Sequence, residues 1–249
     1  TGTASASSSP SSTPTLDHFL CYTSRYSGPK APPGIMLKNV IQPGPFTPAI
    51  GAANTHCNPA NKLVGTVAYK VRNPLGHLLC FAIASRFSPV IVSLKNQFGT
   101  AVMKTTTTPT KLCLPTWKDN LGPPNEPVNQ PPNLDHLTCY PVTAVPGAYA
   151  FHVPAIRVED EFSAPKYVSV KLGVANLVCV PTTKILPTGL TYPPQSANDL
   201  SLVCFPSSPT PLWKLIYDQN QFGESVVAPT TTNESFCVPS QLSNQGPAA

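Results

Sequence analysis

The eight cysteines of this chain occur in one pattern that is repeated four times. Each odd-numbered cysteine precedes an aromatic residue, in Cys21-Tyr22, Cys80-Phe81, Cys139-Tyr140 and Cys204-Phe205. Each even-numbered cysteine stands two residues before a proline, in Cys57-Asn58-Pro59, Cys113-Leu114-Pro115, Cys179-Val180-Pro181 and Cys237-Val238-Pro239. Successive Cys-aromatic pairs lie 59, 59 and 65 residues apart. This period predicts four copies of one small cysteine-paired unit.

One disulfide within each unit is the simplest pairing, and it predicts the bonds Cys21–Cys57, Cys80–Cys113, Cys139–Cys179 and Cys204–Cys237. A unit of about 60 residues buries little apolar surface, so a crosslink is expected. Four cysteines in each half of the chain allow three pairings, and the choice depends on the repeat alone. Zinc is disfavoured because no two cysteines are closer than 23 residues in sequence. A reactive thiol is disfavoured because every cysteine has a counterpart in the repeat.

Composition favours β-structure. Proline accounts for 32 of 249 residues, charged residues for 11% and hydrophobic residues for 41%. Proline at this density excludes long helices, because each proline removes a backbone donor and clashes with the preceding turn. Stretches such as Val90–Gly99 alternate apolar and polar residues between prolines and glycines, which is typical of strands. We predict an all-β chain of two disulfide-stapled, sandwich-like or barrel-like domains.

The two predicted domains are blocks of similar sequence. Residues 16–118 and 134–242 open almost identically, with Leu16–Tyr22 matching Leu134–Tyr140. Corresponding cysteines are offset by 118, 122, 124 and 124 residues, which indicates tandem duplication of a two-unit domain. Residues 119–133 contain five prolines in a polar setting and are predicted to be a semi-rigid linker. Residues 243–249 are assigned to a C-terminal tail.

Residues 1–15 form a Ser/Thr/Pro-rich segment without any charge. Such a segment cannot bury a core of its own. It is either a flexible or O-glycosylated spacer, or an extended arm that docks on a neighbouring molecule. The start at Thr1 without a leader fits a mature secreted protein, and the even set of cysteines indicates an oxidising, extracellular compartment.

Several function classes are disfavoured. The net charge of +5 comes from scattered lysines, so no basic stripe for nucleic acid is visible. No apolar run approaches the roughly 20 residues that span a bilayer. Motifs for a serine nucleophile, a phosphate-binding loop or a zinc protease are absent from the sequence. We therefore expect no catalytic residue, no metal and no cofactor.

Histidines recur three residues before the Cys-aromatic pairs, as His18, His77 and His136, with Ser201 at that place in the fourth unit. Asp17-His18 and Asp135-His136 would be metal or acid–base sites only if both side chains converged. Adjacent residues of a strand point to opposite faces, so a packing or hydrogen-bonding role is favoured.

A second repeated motif is Asn-Gln-Phe-Gly, at Asn96–Gly99 and Asn220–Gly223. Its glycine predicts a turn or bulge, and its phenylalanine a core position. The acidic run 159–161 lacks the spacing of a calcium loop, so we interpret it as a solvated edge. Asn233 begins a formal N-glycosylation sequon.

These motifs resemble an uncharacterised, secreted β-repeat family of bacteria and archaea. Its units read Leu-Asp-His-Phe-x-Cys-Tyr, then Asp/Asn-Gln-Phe-Gly, then Leu-Cys-x-Pro-x-x-Lys. The closing motif is matched at Leu112–Lys118 and Val178–Lys184, whereas the last unit lacks the lysine. The resemblance covers residues 16–242 and implies secretion and cell-surface association, without an assigned activity.

Two functional hypotheses follow. The first is a self-assembling structural protein, the subunit of an extracellular filament or surface layer, whose partners are copies of itself. Its N-terminal tail would dock on an exposed sheet edge of the next subunit. The alternative is a cell-surface module for carbohydrate binding or adhesion, with Trp117, Trp213 and exposed tyrosines as stacking platforms for surface glycans.

Overall fold

The computed structural model describes residues 16–119, 134–195, 200–208 and 215–247, with the backbone alone for residues 231–234 and 247. The tail 1–15, residues 120–133 of the predicted linker, and Trp213 therefore lie outside the described residues. The side chain of Asn233 lies outside them as well. The expectations for these parts of the chain stay predictions.

The described residues form strands joined by loops and contain no helix, which confirms the all-β prediction. The strands are β1 (His18–Ser27), β2 (Met36–Asn39), β3 (Ala49–Val64), β4 (Val67–Tyr69), β5 (His77–Ala84), β6 (Val90–Asn96), β7 (Gly99–Thr105), β8 (Lys111–Asp119), β9 (Leu137–Ala144), β10 (Ile156–Asp160), β11 (Val168–Val170), β12 (Leu177–Ile185), β13 (Thr191–Tyr192), β14 (Ser201–Pro206), β15 (Ile216–Asn220) and β16 (Gly223–Pro247).

Eight of these strands close a barrel. Antiparallel pairing runs from β1 to β3, β5, β8, β9, β12, β14 and β16, and β16 returns to β1. Each sequence unit contributes two neighbouring strands to the ring. The barrel is therefore built with an approximate fourfold repeat, in which the Cys-aromatic strand and the Cys-x-Pro strand alternate.

Side-chain alternation along the barrel strands places all eight cysteines inside, where each is at most 4% exposed. The two cysteines of each unit lie directly opposite on paired strands, and they form the disulfides Cys21–Cys57, Cys80–Cys113, Cys139–Cys179 and Cys204–Cys237. Neighbouring disulfides touch, because the Sγ atoms of Cys21 and Cys237, and those of Cys113 and Cys139, are 3.8 Å apart. The four bonds thus form one layer across the barrel.

A second interior layer explains the proline of the repeated motif. Two residues from the cysteines along each strand, apolar side chains lie opposite prolines, in the pairs Phe19–Pro59, Leu78–Pro115, Leu137–Pro181 and Leu202–Pro239. Residues two apart on a strand share a face, so these side chains fill the barrel beside the sulfur layer. The space that remains at the sulfur layer is about 20 Å³, enough for about one water molecule.

Residues adjacent to the cysteines point outward and are covered by peripheral strands. The aromatic residues Tyr22, Phe81, Tyr140 and Phe205 are each at most 1% exposed. Their covering strands come from other units, because β2 pairs with β12, β10 with β3, β15 with β8, and β6 with β16. The four units are therefore interlocked and not merely placed side by side.

Each unit carries the same tight turn at the end of a peripheral strand. The side chain of Asn96 accepts a hydrogen bond from the Phe98 amide at 2.8 Å, and Asn220 accepts one from the Phe222 amide at 2.8 Å. Asp160 and Asn39 make the equivalent bonds in the other two units. These are Asx turns, in which the side chain replaces a missing backbone partner. We call them the unit turns.

The two sequence blocks share the one barrel. Strand β8 of the first block pairs with β9 of the second, and β1 pairs with β16, so the chain ends meet in the sheet. Residues 243–247, which the sequence assigned to a C-terminal tail, continue β16 because they pair with the outer edge of β6. The duplication of the blocks remains an inference from their sequences.

Candidate functional site

The barrel interior is not a ligand site. Disulfides and apolar side chains fill it, and the remaining 20 Å³ is far below the few hundred Å³ of a small-molecule pocket. Among the described residues, no three His, Cys, Asp or Glu side chains meet in a way that could hold a metal ion. Polar chemistry is instead found on the outer wall of the barrel.

Three clusters on that wall are built from the same three positions of the repeat. Each combines the histidine three residues before a Cys-aromatic pair, the lysine five residues after the second cysteine of the same unit, and the middle residue of the next unit's turn. We call them cluster 1 (His18, Lys62, Gln97), cluster 2 (His77, Lys118, Glu161) and cluster 3 (His136, Lys184, Gln221). The histidine lies on a barrel strand or, for His136, just before one, the lysine lies on the next barrel strand, and the turn after a peripheral strand supplies the third member.

Cluster 1 holds a buried lysine. Lys62 is 0% exposed, and its Nζ lies 3.9 Å from the centre of the Tyr69 ring and 5.5 Å from that of Phe98. Burial lowers the pKa of Lys62 to about 7, since the charged form loses its water shell. His18 lies 2.8 Å from the side-chain amide of Gln97, and burial, with a smaller effect from Lys62, lowers its pKa to about 3.

Cluster 3 joins all three of its members at one atom. His136 Nε2 lies 2.9 Å from Gln221 Oε1, and Lys184 Nζ contacts the same oxygen. Lys184 is 0% exposed, and its Nζ lies 4.8 Å from the Tyr192 ring centre and 5.1 Å from that of Phe222. Burial lowers the pKa of Lys184 to about 7 and that of His136 to about 3.

Cluster 2 differs because its third member is an acid. Lys118 Nζ forms an ion pair with Glu161, whose side chain is 37% exposed, and it lies 4.6 Å from the Phe162 ring centre. Burial lowers the pKa of Lys118, and the hydrogen bond to Glu161 opposes that shift. His77 lies beside them, and burial holds its pKa well below the ordinary value.

A buried polar network extends from cluster 2 between the units. His56 contacts Asp218 at 2.9 Å and Asn58 at 3.0 Å, and Asn58 donates to Asp160 at 2.9 Å. The Tyr22 hydroxyl donates to the same Asp160 oxygen at 2.8 Å, and burial strongly raises the pKa of that hydroxyl. All five residues are at most 3% exposed. The network is therefore buried and connects strands of different units.

The fourth position around the barrel has none of the three cluster residues. Ser201 replaces the histidine, Leu242 the lysine and Val40 the turn residue. Histidine and lysine are thus present together at three positions and absent together at the fourth. This pattern indicates that the histidine and the lysine act as a unit where they are present.

The described residues line two surface grooves next to these positions. A groove of about 450 Å³ is lined by polar and aromatic side chains including Asp17, His18, Tyr69, Lys70 and Arg72. A second groove, of about 310 Å³, is lined by residues of β2, β12 and β16 and includes Val40 and Leu242. The first groove has the polar lining of a site for a hydrophilic ligand. The second groove lies at the fourth position, where the histidine and lysine are absent.

The residues singled out from the sequence lie as follows. Asp17 accepts hydrogen bonds from the Arg72 amide at 3.1 Å and the Asn73 amide at 2.8 Å, whereas its neighbour His18 contacts Gln97. The adjacent acid and histidine thus point to different partners. In the acidic run, Asp160 is buried at 3% exposure and bonded, while Glu161 is partly exposed. Trp117 is half-buried on β8.

Sequence reasoning did not single out the lysines as a site. Lys62, Lys118 and Lys184 each stand five residues after the second cysteine of a unit, so the repeat contained the signal. The network around His56 and Asp218 had no such signal, because its members belong to different units and do not recur.

No family model matches the chain, and neither a curated protein nor a solved structure is similar to it. The resemblance noted from the motifs stays a prediction. None of the described segments is a helix that could cross a membrane. Four disulfides are consistent with an extracellular protein.

Proposed function

We propose that this protein is a secreted structural subunit whose copies assemble into an extracellular filament or surface layer. The observation that carries the proposal is the sulfur-filled barrel, in which four disulfides occupy the space where a binding barrel would hold its ligand. Such an interior serves rigidity. A scaffold of this kind is suited to bear load outside the cell.

Assembly would use residues 1–15 as an arm. The segment is uncharged and rich in Ser, Thr and Pro, so it can lie extended along a sheet edge of a second copy. Strand β4 is a suitable acceptor, since β3 is its only strand partner in the described part of the chain. Its side chains Val67 and Tyr69 are 56% and 40% exposed. One repeated head-to-tail contact then produces an open fibre.

The arm is tested by deleting residues 1–15. Negative-stain microscopy and size-exclusion chromatography should show fibres for the full chain and folded monomers for the truncated one. A Gly/Ser segment of equal length in place of residues 1–15 controls for chain length and should not restore fibres. Because truncated copies keep the acceptor edge, they should also shorten fibres when mixed with the full chain. Intact fibres from the truncated protein would contradict the mechanism.

The acceptor is tested separately on β4. In the hairpin formed by β3 and β4, Val67 and Tyr69 flank Ala68, whose amide points away from β3 by the alternation of a two-residue hairpin. Ala68→Pro removes that donor and should prevent elongation, whereas Ala68→Ser keeps it and should not. Normal fibres from the proline variant would exclude β4 as the acceptor. The role of residues 1–15 as the arm would then be decided by the deletion experiment alone.

A second candidate function is the binding of surface glycans in the 450 Å³ groove. The partly exposed Tyr69 ring lies there beside Lys70, Arg72 and Asp17, a combination of aromatic face and polar groups that suits sugars. Glycan-array binding that is lost in Tyr69→Ala, with Tyr149→Ala as an exposed control, would support it. If the intact protein bound no glycan on the array, this would count against the proposed glycan site.

A further inference from the structure

Cluster 3 brings an amine nucleophile and an acyl group into contact inside the protein. Lys184 Nζ contacts Gln221 Oε1, the oxygen bonded to the acyl carbon Cδ. The amine has no access to solvent, because Lys184 is 0% exposed. The rings of Tyr192 and Phe222 lie 4.8 and 5.1 Å from Nζ and keep water away.

We propose that Lys184 and Gln221 become joined by an amide bond between their side chains, formed within the folded chain. The bond links the barrel strand β12 to the turn after the peripheral strand β15, and so fastens the fourth unit onto the third. It is a modification site of the folded protein. The proposal does not rest on self-assembly, since it concerns a single chain.

The reaction is an exchange of amines that needs no further reagent. Unprotonated Nζ attacks Cδ of Gln221, and a Nζ–Cδ bond forms as the carbonyl electrons move to Oε1. One proton of Nζ passes to Nε2, the Cδ–Nε2 bond breaks, and the carbonyl is restored. Ammonia leaves. Burial lowers the pKa of Lys184 to about 7, so much of the amine is unprotonated and nucleophilic at neutral pH.

His136 is placed to assist the attack. Its Nε2 lies 2.9 Å from Gln221 Oε1, where negative charge develops. Burial lowers the pKa of His136 to about 3, so the ring is neutral at physiological pH and donates from Nε2 in the matching tautomer. The hydrogen bond polarises the carbonyl and stabilises the oxyanion. His136 would therefore stabilise the transition state of the reaction in addition to packing against its neighbours.

The other positions around the barrel supply an internal contrast. In cluster 2, Lys118 faces Glu161, a carboxylate that is 37% exposed and therefore a poor acyl donor, and the two form an ion pair. In cluster 1, Lys62 Nζ lies over the Tyr69 ring at 3.9 Å, while Gln97 contacts His18. The fourth position lacks all three residues. We therefore assign the crosslink to Lys184 and Gln221 alone.

Mass spectrometry of the reduced and denatured full chain tests the proposal. The crosslinked protein should be lighter than its sequence by one ammonia, and proteolysis should release a branched peptide that joins residues 184 and 221. A full mass with a linear Lys184 peptide would overturn the proposal. A deficit that maps to another pair, such as Lys62 and Gln97, would overturn it too.

Variants separate the roles of the three residues. Gln221→Ala and Lys184→Arg should restore the full mass, whereas Lys38→Arg, a change at an exposed lysine, should leave the deficit unchanged. His136→Phe keeps a planar aromatic ring but removes the donor, and it should slow crosslinking after refolding by about a hundredfold. Circular dichroism confirms that this variant is folded. An unchanged crosslinking rate would remove His136 from the mechanism.

Discussion

At the residue scale, neighbouring positions on one barrel strand perform different tasks. Cys139 points inward into the sulfur layer, while Tyr140 points outward and accepts a hydrogen bond from Asn39 Nδ2 at 2.9 Å. Thr138, on the same outer face, is joined to Thr182 through their hydroxyls at 2.9 Å. In this Cys-aromatic motif, the cysteine thus forms a disulfide inside the barrel, and the aromatic residue binds the turn of another unit on the outside.

The buried histidines predict how stability depends on pH. Burial is the main cause that lowers the pKa of His18 and His136 from the ordinary 6.5 to about 3. Between these values the unfolded chain binds more protons at each of these histidines than the folded one, so the contribution of each histidine to stability is fully present above pH 6.5 and is lost as the pH falls towards 3. At pH 5 the loss should be on the order of 1–2 kcal/mol for each histidine.

Urea unfolding of the oxidised protein between pH 7 and 4.5 measures this loss. The double variant His18→Gln/His136→Gln should show a flatter dependence on pH than the native chain. His152→Gln removes an exposed histidine and should leave the slope unchanged. Equal slopes for the native chain and the double variant would contradict the assignment.

At the element scale, the unit turns connect the peripheral strands to the barrel. In the turn that follows β15, Asn220 is 2% exposed and accepts from the Phe222 amide, and the Phe222 ring packs edge-on against Phe81 at 5.1 Å. Gly223 follows with φ of +116°, a conformation that favours glycine. The Asn-Gln-Phe-Gly motif therefore combines a side-chain cap, a cluster residue, a core anchor and a left-handed position.

Removal of the side-chain cap should destabilise this element. Asn220→Ala leaves the buried Phe222 amide without its partner, which should cost about 1–3 kcal/mol of unfolding free energy. Gln245→Ala, at an exposed amide, should change it by less than about 0.5 kcal/mol. Chemical denaturation measures both values. A cost for Asn220→Ala no larger than the control would show that the Asx turn does not hold the strand.

At the scale of the whole molecule, closure of the barrel makes the two sequence blocks interdependent. The pairs β1–β16 and β8–β9 cross between the blocks, and so do the peripheral pairs β2–β12 and β10–β3. An isolated block would open its half of the barrel and expose the disulfide layer to water. The disulfides themselves each stay within one unit, so they do not close the ring.

Splitting the chain tests this interdependence. Residues 16–119 or 134–247 expressed alone should lack a cooperative unfolding transition, and co-expression should restore a one-to-one complex. The intact chain should unfold in a single calorimetric transition, because neither block has a core of its own. A folded, monomeric block would contradict this expectation. Two transitions in the intact chain would contradict it as well.

Much of the local structure could be predicted from the residues. Period-2 alternation and proline content indicated strands, and the fourfold register of Cys-aromatic and Cys-x-Pro marks indicated one disulfide in each unit. The interlocking of the units was not predictable, because nothing local in β10 specifies β3 as its partner. The His, Lys and Gln positions of clusters 1 to 3 recur in the sequence and could be recognised there. That the three side chains of a cluster lie together could not be predicted, because this depends on the interlocking of the units.

The sequence by itself determined the strand character of the chain and favoured one disulfide within each unit, because these follow from alternation and from repetition at a nearly constant period. Only the tertiary structure decided that the units close into one barrel and that three of the unit turns lie over the histidine and lysine of the preceding unit. Those contacts join residues far apart in the chain, and their free energy comes from burial that exists only once the ring is closed. The contact of Lys184 with Gln221 is of this kind.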